Sequence, residues 1–204
     1  MKLTSAMARR RVVALGLGAA LATAPLPAVA DPPHAFRGLA SATPTRAAEF
    51  TLTAHTGQRF HLSDFRGKTV LLYFGYTSCP GICPTTLADV RQALSTLGPK
   101  RASKVQLIMV TVDPERDTPA KLAAYMTHFD PTFLGATGTP AEIAAVTRLY
   151  GIYVRRGEGT SATGYLIDHT SMVFAIDARG YVQVLFPHGI AVADMSGDLA
   201  YLVR

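Results

Sequence analysis

Runs of apolar residues alternate with amphipathic segments along most of this chain. Two continuous apolar runs, Thr69 to Tyr76 and Val105 to Val112, have the length of strands that are buried on both faces. A helical pattern of apolar positions follows each run, over Pro84 to Leu97 and over Pro119 to Phe129. This alternation of strands and helices predicts an α/β domain.

Shorter patterns flank this central part. Phe50 to Leu52 and Arg59 to Leu62 predict an N-terminal β-hairpin, and Thr170 to Ile176 and Tyr181 to Phe186 predict a second antiparallel hairpin near the other end. Two more helices are predicted, Pro140 to Tyr150 and a short one from about Ala191. The whole set predicts a thioredoxin-like α/β sandwich with a central mixed sheet.

The first thirty residues have the layout of a secretory signal. Three consecutive arginines precede the apolar run Val12 to Ala24, and Ala28-Val29-Ala30 provides a small-residue cleavage site before Asp31. The apolar run is too short to span a bilayer. The adjacent arginines also resemble a twin-arginine export signal. We expect residues 1–30 to be cleaved and the protein to be exported to the periplasm; an uncleaved anchor is the alternative.

The remaining chain divides into a polar, proline-containing stretch at 31–46, which we expect to be a flexible tether, and one folded domain at 47–204. Removing the leader's four positive charges lowers the formal net charge from +6 to +2. With so little charge and no basic run, nucleic-acid binding is excluded as a function. We expect a monomer whose apolar content is sufficient for a full core.

The chain has two cysteines, Cys79 and Cys83, and each is followed by a proline. A bridge between them would close a loop of about five residues and stabilise the fold by only about 2 kcal/mol. The pair is therefore better explained by a chemical role than by stabilisation of the fold. Both follow the first apolar strand, at the sheet edge where α/β proteins place their sites. Three residues separate the cysteines, whereas a thioredoxin-type redox pair has two. The wider spacing favours a metal: two thiolates select Cu(I) or Zn and require at least a third ligand.

The two prolines also predict the local backbone. Residues before proline avoid the helical region, so the span between the cysteines is expected to be a loop. Pro84 suits the first helical position and Cys83 the cap before it. At that position the positive end of the helix should lower the pKa of Cys83.

Six histidines could supply a third ligand. Five lie in the tether, a hairpin, a helix end or a loop, where a lone histidine is more often a surface or hydrogen-bonded residue: His34, His55, His61, His128 and His188. His169 directly precedes a predicted strand, and a thioredoxin-like topology brings that edge towards the first helix start. From spacing alone, a ligand role for His169 and a sheet-capping role with Asp168 are equally supported.

A second conspicuous segment is "VDPERDTP", Val112 to Pro119. Its three acidic residues could suggest a metal site or acid/base catalysis. The local interpretation is stronger, because Asp117 or Thr118 can cap the next helix, Pro119 can open it and Arg116 can pair nearby. We predict a structural or partner-docking role and no catalysis.

The stretches "LSDFRGKTVLLYFGYTSCPGICPTTL", "VTVDPERDTPAKLAAYMTHFDPTFLGATG", "YGIYV" and "DHTSMVFAIDARG" resemble, in order and spacing, the Sco/SenC family of copper-binding assembly factors for cytochrome c oxidase. The resemblance implies a thioredoxin-like fold that binds one copper ion through Cys79, Cys83 and His169. It also implies a role in building the CuA centre of an oxidase subunit, which would be the partner. Other periplasmic copper chaperones or thiol reductants are further expected partners.

Two other functions use the same residues. A thiol-disulfide oxidoreductase could reduce the cysteines of an oxidase subunit through a redox-active pair, Cys79 and Cys83, without tightly held metal. A thiol peroxidase of related fold is disfavoured, because no threonine and arginine arrangement of the peroxidase kind accompanies either cysteine.

Overall fold

The computed structural model describes residues 34–158 and 164–204, and His34–Arg204 forms one compact unit. The predicted signal at 1–30 lies outside the described residues. The strands are β1 (Leu39–Arg46), β2 (Thr51–Ala54), β3 (Arg59–His61), β4 (Thr69–Gly75), β5 (Val105–Thr111), β6 (Leu134–Thr137), β7 (Val154–Arg156), β8 (Ile167–His169), β9 (Met172–Ile176) and β10 (Tyr181–Pro187). The helices are α1 (Ile82–Leu97), α2 (Pro99–Ala102), α3 (Pro119–Phe129), α4 (Pro140–Leu149) and α5 (Val192–Leu202), and a 3₁₀ turn spans Leu62–Phe65.

Eight strands form one mixed sheet in the order β1-β10-β9-β4-β5-β6-β2-β3. At its centre β4, β5 and β6 run parallel, whereas β9 pairs antiparallel with both β4 and β10. The strands β7 and β8 form a separate two-stranded antiparallel sheet. The predicted thioredoxin-like α/β fold is confirmed, with the N-terminal hairpin β2–β3 and the C-terminal hairpin β9–β10.

The core lies between the central sheet and the helices that cover it. All seven residues of β4 are buried, which explains why its sequence is continuously apolar rather than alternating. In α1 the buried positions Leu87, Val90 and Leu94 recur at helical spacing and form the face turned to the core. Thr118 caps α3 by accepting a hydrogen bond from the backbone N–H of Lys121, as the local interpretation of this segment predicts.

The predicted tether at 31–46 is wrong for its second half, because β1 (Leu39–Arg46) pairs antiparallel with β10 as an edge strand. Its sequence has no strand pattern, and the pairing is interrupted by a register shift between Ala40 and Thr45. An edge strand tolerates Pro44 and such a bulge because one side makes no ladder bonds. The preceding residues are also held: the buried carboxylate of Asp198 accepts hydrogen bonds from the backbone N–H groups of Arg37 and Gly38.

Within residues 34–158 and 164–204, none of the helices has both the length and the apolar content needed to cross a bilayer.

Candidate metal centre

The two cysteines lie where β4 ends and α1 begins. Cys79 is in the loop after β4 and is half-buried, whereas Cys83 is in the first turn of α1 and is fully buried. Close packing shapes this corner: a Cβ added to Gly75 would lie 3.2 Å from the Cys83 Sγ. Position 75 therefore has little room for a side chain next to the Cys83 thiol.

The structure brings His169 to the same corner. It is the last residue of β8, and its Nε2 lies 3.4 Å from the Cys83 Sγ. Each of Cys79, Cys83 and His169 offers one ligand atom, and these atoms all lie within 4.8 Å of one another. In the described part of the chain, this is the group of three or more histidine, cysteine or acidic residues that could hold a metal ion.

The hydrogen bonding of His169 determines which of its ring nitrogens can bind a metal. Its Nδ1 lies 3.0 Å from the carbonyl oxygen of Thr170, and since a carbonyl only accepts, Nδ1 carries the proton. In a neutral ring, Nε2 then keeps its lone pair and points towards the thiols. The rings of Tyr73 and Tyr76 pack edge-on against the imidazole, with centroid distances of 6.3 and 5.9 Å, and restrict its orientation.

The other histidines take roles outside this cluster. His34 pairs with Asp198, His55 accepts a hydrogen bond from the backbone of Gly135, and His61 contacts Thr51. His128 lies in the last turn of α3. His188 lies nearer to the thiols, because its Nδ1 is 3.3 Å from the hydroxyl of Thr86, one helical turn after Cys83.

The start of α1 differs from the prediction. The helix begins at Ile82, with Gly81 as its cap, so Cys83 is the second helical residue and not the cap. Pro84 is tolerated at the third position because N–H groups of the first turn have no intrahelical partner. One of those N–H groups, that of Cys83, donates to the Cys79 Sγ at 3.4 Å. The helix start therefore acts on the sulfur of Cys79.

The pKa values follow this geometry, and the prediction of a lowered pKa for Cys83 is wrong. A hydrogen bond from the Cys83 thiol is the largest cause that lowers the pKa of Cys79 to about 3; the backbone N–H groups of Cys83 and Gly81 add to it against the opposing effect of burial. The same hydrogen bond to Cys79, together with burial, raises the pKa of Cys83. In the metal-free pair, Cys79 is thus the thiolate and Cys83 holds the shared proton.

The acidic residues of the VDPERDTP segment are used as structural links. Asp117 is fully buried and accepts hydrogen bonds from the backbone N–H of Thr77 at 3.0 Å and from the hydroxyl of Thr111 at 2.7 Å. It thereby ties the end of β5 to the loop that leads into Cys79. Asp113 forms an ion pair with Arg116.

Sequence reasoning did not single out the aromatic residues that surround the histidine. Tyr73 and Tyr76 stand inside the apolar run before Cys79, where a tyrosine is an ordinary strand residue, so their position relative to β8 has no sequence signal. Tyr165, whose hydroxyl donates to Asp113 at 2.6 Å, lies in a stretch without periodic pattern.

The donor set fits a soft metal. Two thiolates with one imidazole suit Cu(I), and the imidazole suits Cu(II) as well. A closed structural zinc site usually has four protein ligands, and the cluster has three. Because one side of the pair, at Cys79, is half-exposed, the site is also open to a reagent or a second protein.

The low pKa of Cys79 predicts an unusual pH profile for alkylation. In reduced, metal-free protein, the rate at Cys79 should be nearly constant from pH 5 to 8, because the thiolate is already formed. An ordinary thiol, with a pKa of about 8.5, reacts roughly tenfold faster for each pH unit over this range. Iodoacetamide labelling at a series of pH values, followed by peptide mass spectrometry, measures the alkylation rate at Cys79. Protein unfolded in guanidinium is the control, and a tenfold rise per pH unit in the folded protein would contradict the assignment.

Comparison with known proteins gives consistent matches. The SCO1/SenC family model matches residues 40–204. A mitochondrial SCO2 homologue from Bos taurus is 40% identical over 133 residues, which are 65% of this chain and 50% of that protein. The chain spans between half and just under two thirds of the length of the first curated relatives it matches.

Two solved structures are similar over most of the described fold. ScoI from Bradyrhizobium japonicum, solved with copper bound, is 36% identical with a TM-score of 0.70, and the match covers 78% of this chain and 99% of that one. Apo Sco1 from Thermus thermophilus is 35% identical with a TM-score of 0.74, and the match covers 83% and 98% of the two chains.

Proposed function

This chain belongs to the SCO1/SenC family, and we propose that it is a copper metallochaperone that assists assembly of the CuA centre of cytochrome c oxidase. In this proposal one copper ion is the cargo, and Cys79, Cys83 and His169 are its ligands. The observation that carries the proposal is the approach of these three ligand atoms to within 4.8 Å of one another. The copper-bound state of a solved relative supports the choice of metal.

The two cysteines have different parts in loading. Cys79 offers a thiolate that is already formed and half-exposed, so it makes the first bond to an arriving ion. Cys83 then loses its proton, because a coordinating thiol is deprotonated. Binding should therefore release about one proton from the pair near neutral pH. Transfer to a recipient begins at the same exposed sulfur.

His169 has a separate part, which is to serve both oxidation states. Cu(I) is held adequately by two soft thiolates, whereas Cu(II) prefers additional ligands that include nitrogen. The Nδ1–H bond to the Thr170 carbonyl orients the ring and leaves Nε2 for the metal.

The proposed setting follows from the sequence. Residues 1–30 would direct export and be removed, and the folded domain would work as a monomer in the periplasm. The recipient is an oxidase subunit that carries CuA, and copper chaperones or thiol reductants of the same compartment are proposed as suppliers of copper or electrons.

A thiol-disulfide oxidoreductase is the second candidate, and the asymmetric titration of the cysteines favours it. A stabilised thiolate at Cys79 beside a protonated partner at Cys83 is the arrangement that attacks a disulfide and then resolves the mixed disulfide. The two activities are compatible, since the thiolates that bind Cu(I) are the thiolates that exchange.

Copper loading of the purified, reduced protein tests the proposal. We expect one copper ion per chain and, with Cu(II), a sulfur-to-copper charge-transfer band. A protein that retains no copper after desalting but turns over a disulfide substrate would reject the metallochaperone in favour of the oxidoreductase. The double variant Cys79→Ser, Cys83→Ser is the blank for both assays.

His169→Ala should weaken Cu(II) binding selectively. The remaining dithiolate still holds Cu(I), which accepts two ligands, but Cu(II) affinity should fall by about 100-fold or more, beyond the 10–100-fold typical of lost outer-shell partners. Spectroscopic titration with Cu(II) and competition with a Cu(I) chelator measure the two affinities.

His188→Ala is the matched control for this variant, since His188 contacts Thr86 near the thiols but lies outside the ligand cluster. It should keep both affinities. A wild-type Cu(II) spectrum in His169→Ala would show the imidazole assignment to be wrong and direct attention to His188 and His128.

A further inference from the structure

His169 stands on an element that the main sheet does not hold. Among the described residues its strand, β8, pairs only with β7 in a separate two-stranded sheet, and each strand has three residues. An isolated ribbon of two strands is marginally stable in water. All three residues of β7 are exposed, so the ribbon gains little from burial on that side. Contacts from outside the ribbon must therefore fix the position of the imidazole.

Tyr165, two residues before β8, connects the ribbon, which includes Arg156 of β7, to residues outside it. Its hydroxyl donates to the carboxylate of Asp113 at 2.6 Å, and Asp113 is only 2% exposed. Its carbonyl oxygen accepts a hydrogen bond from Nη1 of Arg116 at 2.9 Å. The ring is covered on both sides by guanidinium groups, with Arg116 at 3.6 Å and Arg156 at 3.4 Å from the ring centroid. We call these four residues the Tyr165 clamp.

The clamp is anchored to the rigid part of the fold. Asp113 lies two residues after the end of β5, and its carboxylate also pairs with Arg116, so the acceptor of the Tyr165 hydroxyl is itself fixed. A second link comes from β4, because the hydroxyl of Tyr76 accepts a hydrogen bond from the backbone N–H of Ile167 at 3.2 Å. Both anchors therefore stand at the carboxyl ends of the two central parallel strands that also set the cysteine loop.

We propose that Tyr165 is a positioning residue for the copper site, acting through the clamp to hold the imidazole of His169 against the two thiols. This inference rests on the proposed function, in which His169 is the third ligand. Tyr165 is four residues before His169, and a strand rises about 3.3 Å per residue. A small displacement at the clamp is therefore carried along β8 to the ring, while Cys79 and Cys83, which lie on other elements, stay in place.

The test compares Tyr165→Phe with Tyr165→Leu. The phenylalanine keeps the ring between the two arginines and removes the hydrogen bond to Asp113, whereas the leucine removes both interactions. In metal-free protein, amide hydrogen exchange of a peptide covering residues 165–171 should be faster in both variants, and fastest in the leucine variant. Cu(II) affinity should fall by about 10-fold or more, as for lost outer-shell partners, while Cu(I) affinity changes by less than about threefold.

Tyr181→Phe is the matched control, because Tyr181 also has two arginines near its ring, Arg46 and Arg179, each 5.8 Å from its centroid, but lies on β10 and makes no contact with the ligand cluster. It should match the wild type in both readouts. A merely structural role for Tyr165 would weaken Cu(I) and Cu(II) binding together, and this would overturn the proposal.

Unchanged exchange and unchanged Cu(II) affinity in Tyr165→Phe and Tyr165→Leu, in a wild type that binds Cu(II), would also overturn it. Absence of copper binding by the wild type would instead reject the proposed function, so the two failures are distinguishable. If the leucine variant does not fold, the phenylalanine variant decides alone.

Discussion

Cys83→Ser is expected to lower Cu(I) affinity by more than about 100-fold. The serine hydroxyl is a hard, weakly acidic donor that does not replace a soft thiolate. Losing a ligand should exceed the 10–100-fold typical of losing its outer-shell partner. Anaerobic competition with a chromophoric Cu(I) chelator measures the affinity.

Stability must be separated from binding in this experiment. Cys83 is fully buried, and a serine there places a hydroxyl in an apolar corner at a cost of about 1–3 kcal/mol. Cys83→Ala has no hydroxyl to bury and is the companion variant, so the two should differ in thermal midpoint but share the loss of copper. Retention of wild-type Cu(I) affinity in both would mean that the metal is held elsewhere.

Oxidation of the cysteine pair is expected to abolish Cu(I) binding reversibly. A bond between Cys79 and Cys83 consumes both thiolates and leaves His169 as the remaining donor of the cluster. The fold should persist, because a loop of about five residues contributes only about 2 kcal/mol to stability when closed. Two electrons and two protons added by a dithiol reductant should restore full binding. The measurement is copper uptake by the oxidised, reduced and re-reduced protein, with thiols counted in each sample.

The double variant Cys79→Ser, Cys83→Ser is the control for this result, since it also lacks both thiolates but cannot be restored by the reductant. Equal copper uptake by oxidised and reduced protein would contradict a dithiolate site.

The central part of the fold could be predicted because burial on both faces imposes a composition that is visible in the sequence. β4 and β5 are continuous apolar runs, and the helices after them repeat their apolar positions at helical spacing. The starts of α3 and α4 could be predicted because each helix has a proline at its first position.

The elements that were missed depend on tertiary pairing. β6 has the sequence Leu-Gly-Ala-Thr, which has no strand pattern; it pairs with β5 and β2. Gly135 lets α3 pack closely on this strand, because a Cβ at this position would lie 3.0 Å from the Cβ of Leu122. β1 was read as a tether because an edge strand with a bulge and a proline has no periodicity to recognise. β7 is exposed throughout and shows none either.

The site was only partly accessible to sequence reasoning. The spacing of Cys79 and Cys83 after a buried strand indicated a metal or redox pair, and position set five of the six histidines aside, but spacing alone could not decide between a ligand role and a sheet-capping role for His169. It also assigned the lowered pKa to the wrong cysteine. Which sulfur receives the N–H groups of the helix start, and which is buried, depends on whether the residue that caps α1 lies one residue before Pro84, as predicted, or three residues before it, as observed. Helix starts are the least reliable part of a prediction from pattern.

The most direct test of the copper site is X-ray absorption at the copper edge, recorded on the protein loaded with Cu(II) and again after reduction. With Cys79, Cys83 and His169 as ligands, the Cu(II) form should show two sulfur neighbours and an imidazole nitrogen, and His169→Ala should lose the imidazole signal. A copper ion surrounded only by nitrogen and oxygen, in the wild type as in the double variant Cys79→Ser, Cys83→Ser, would contradict the account.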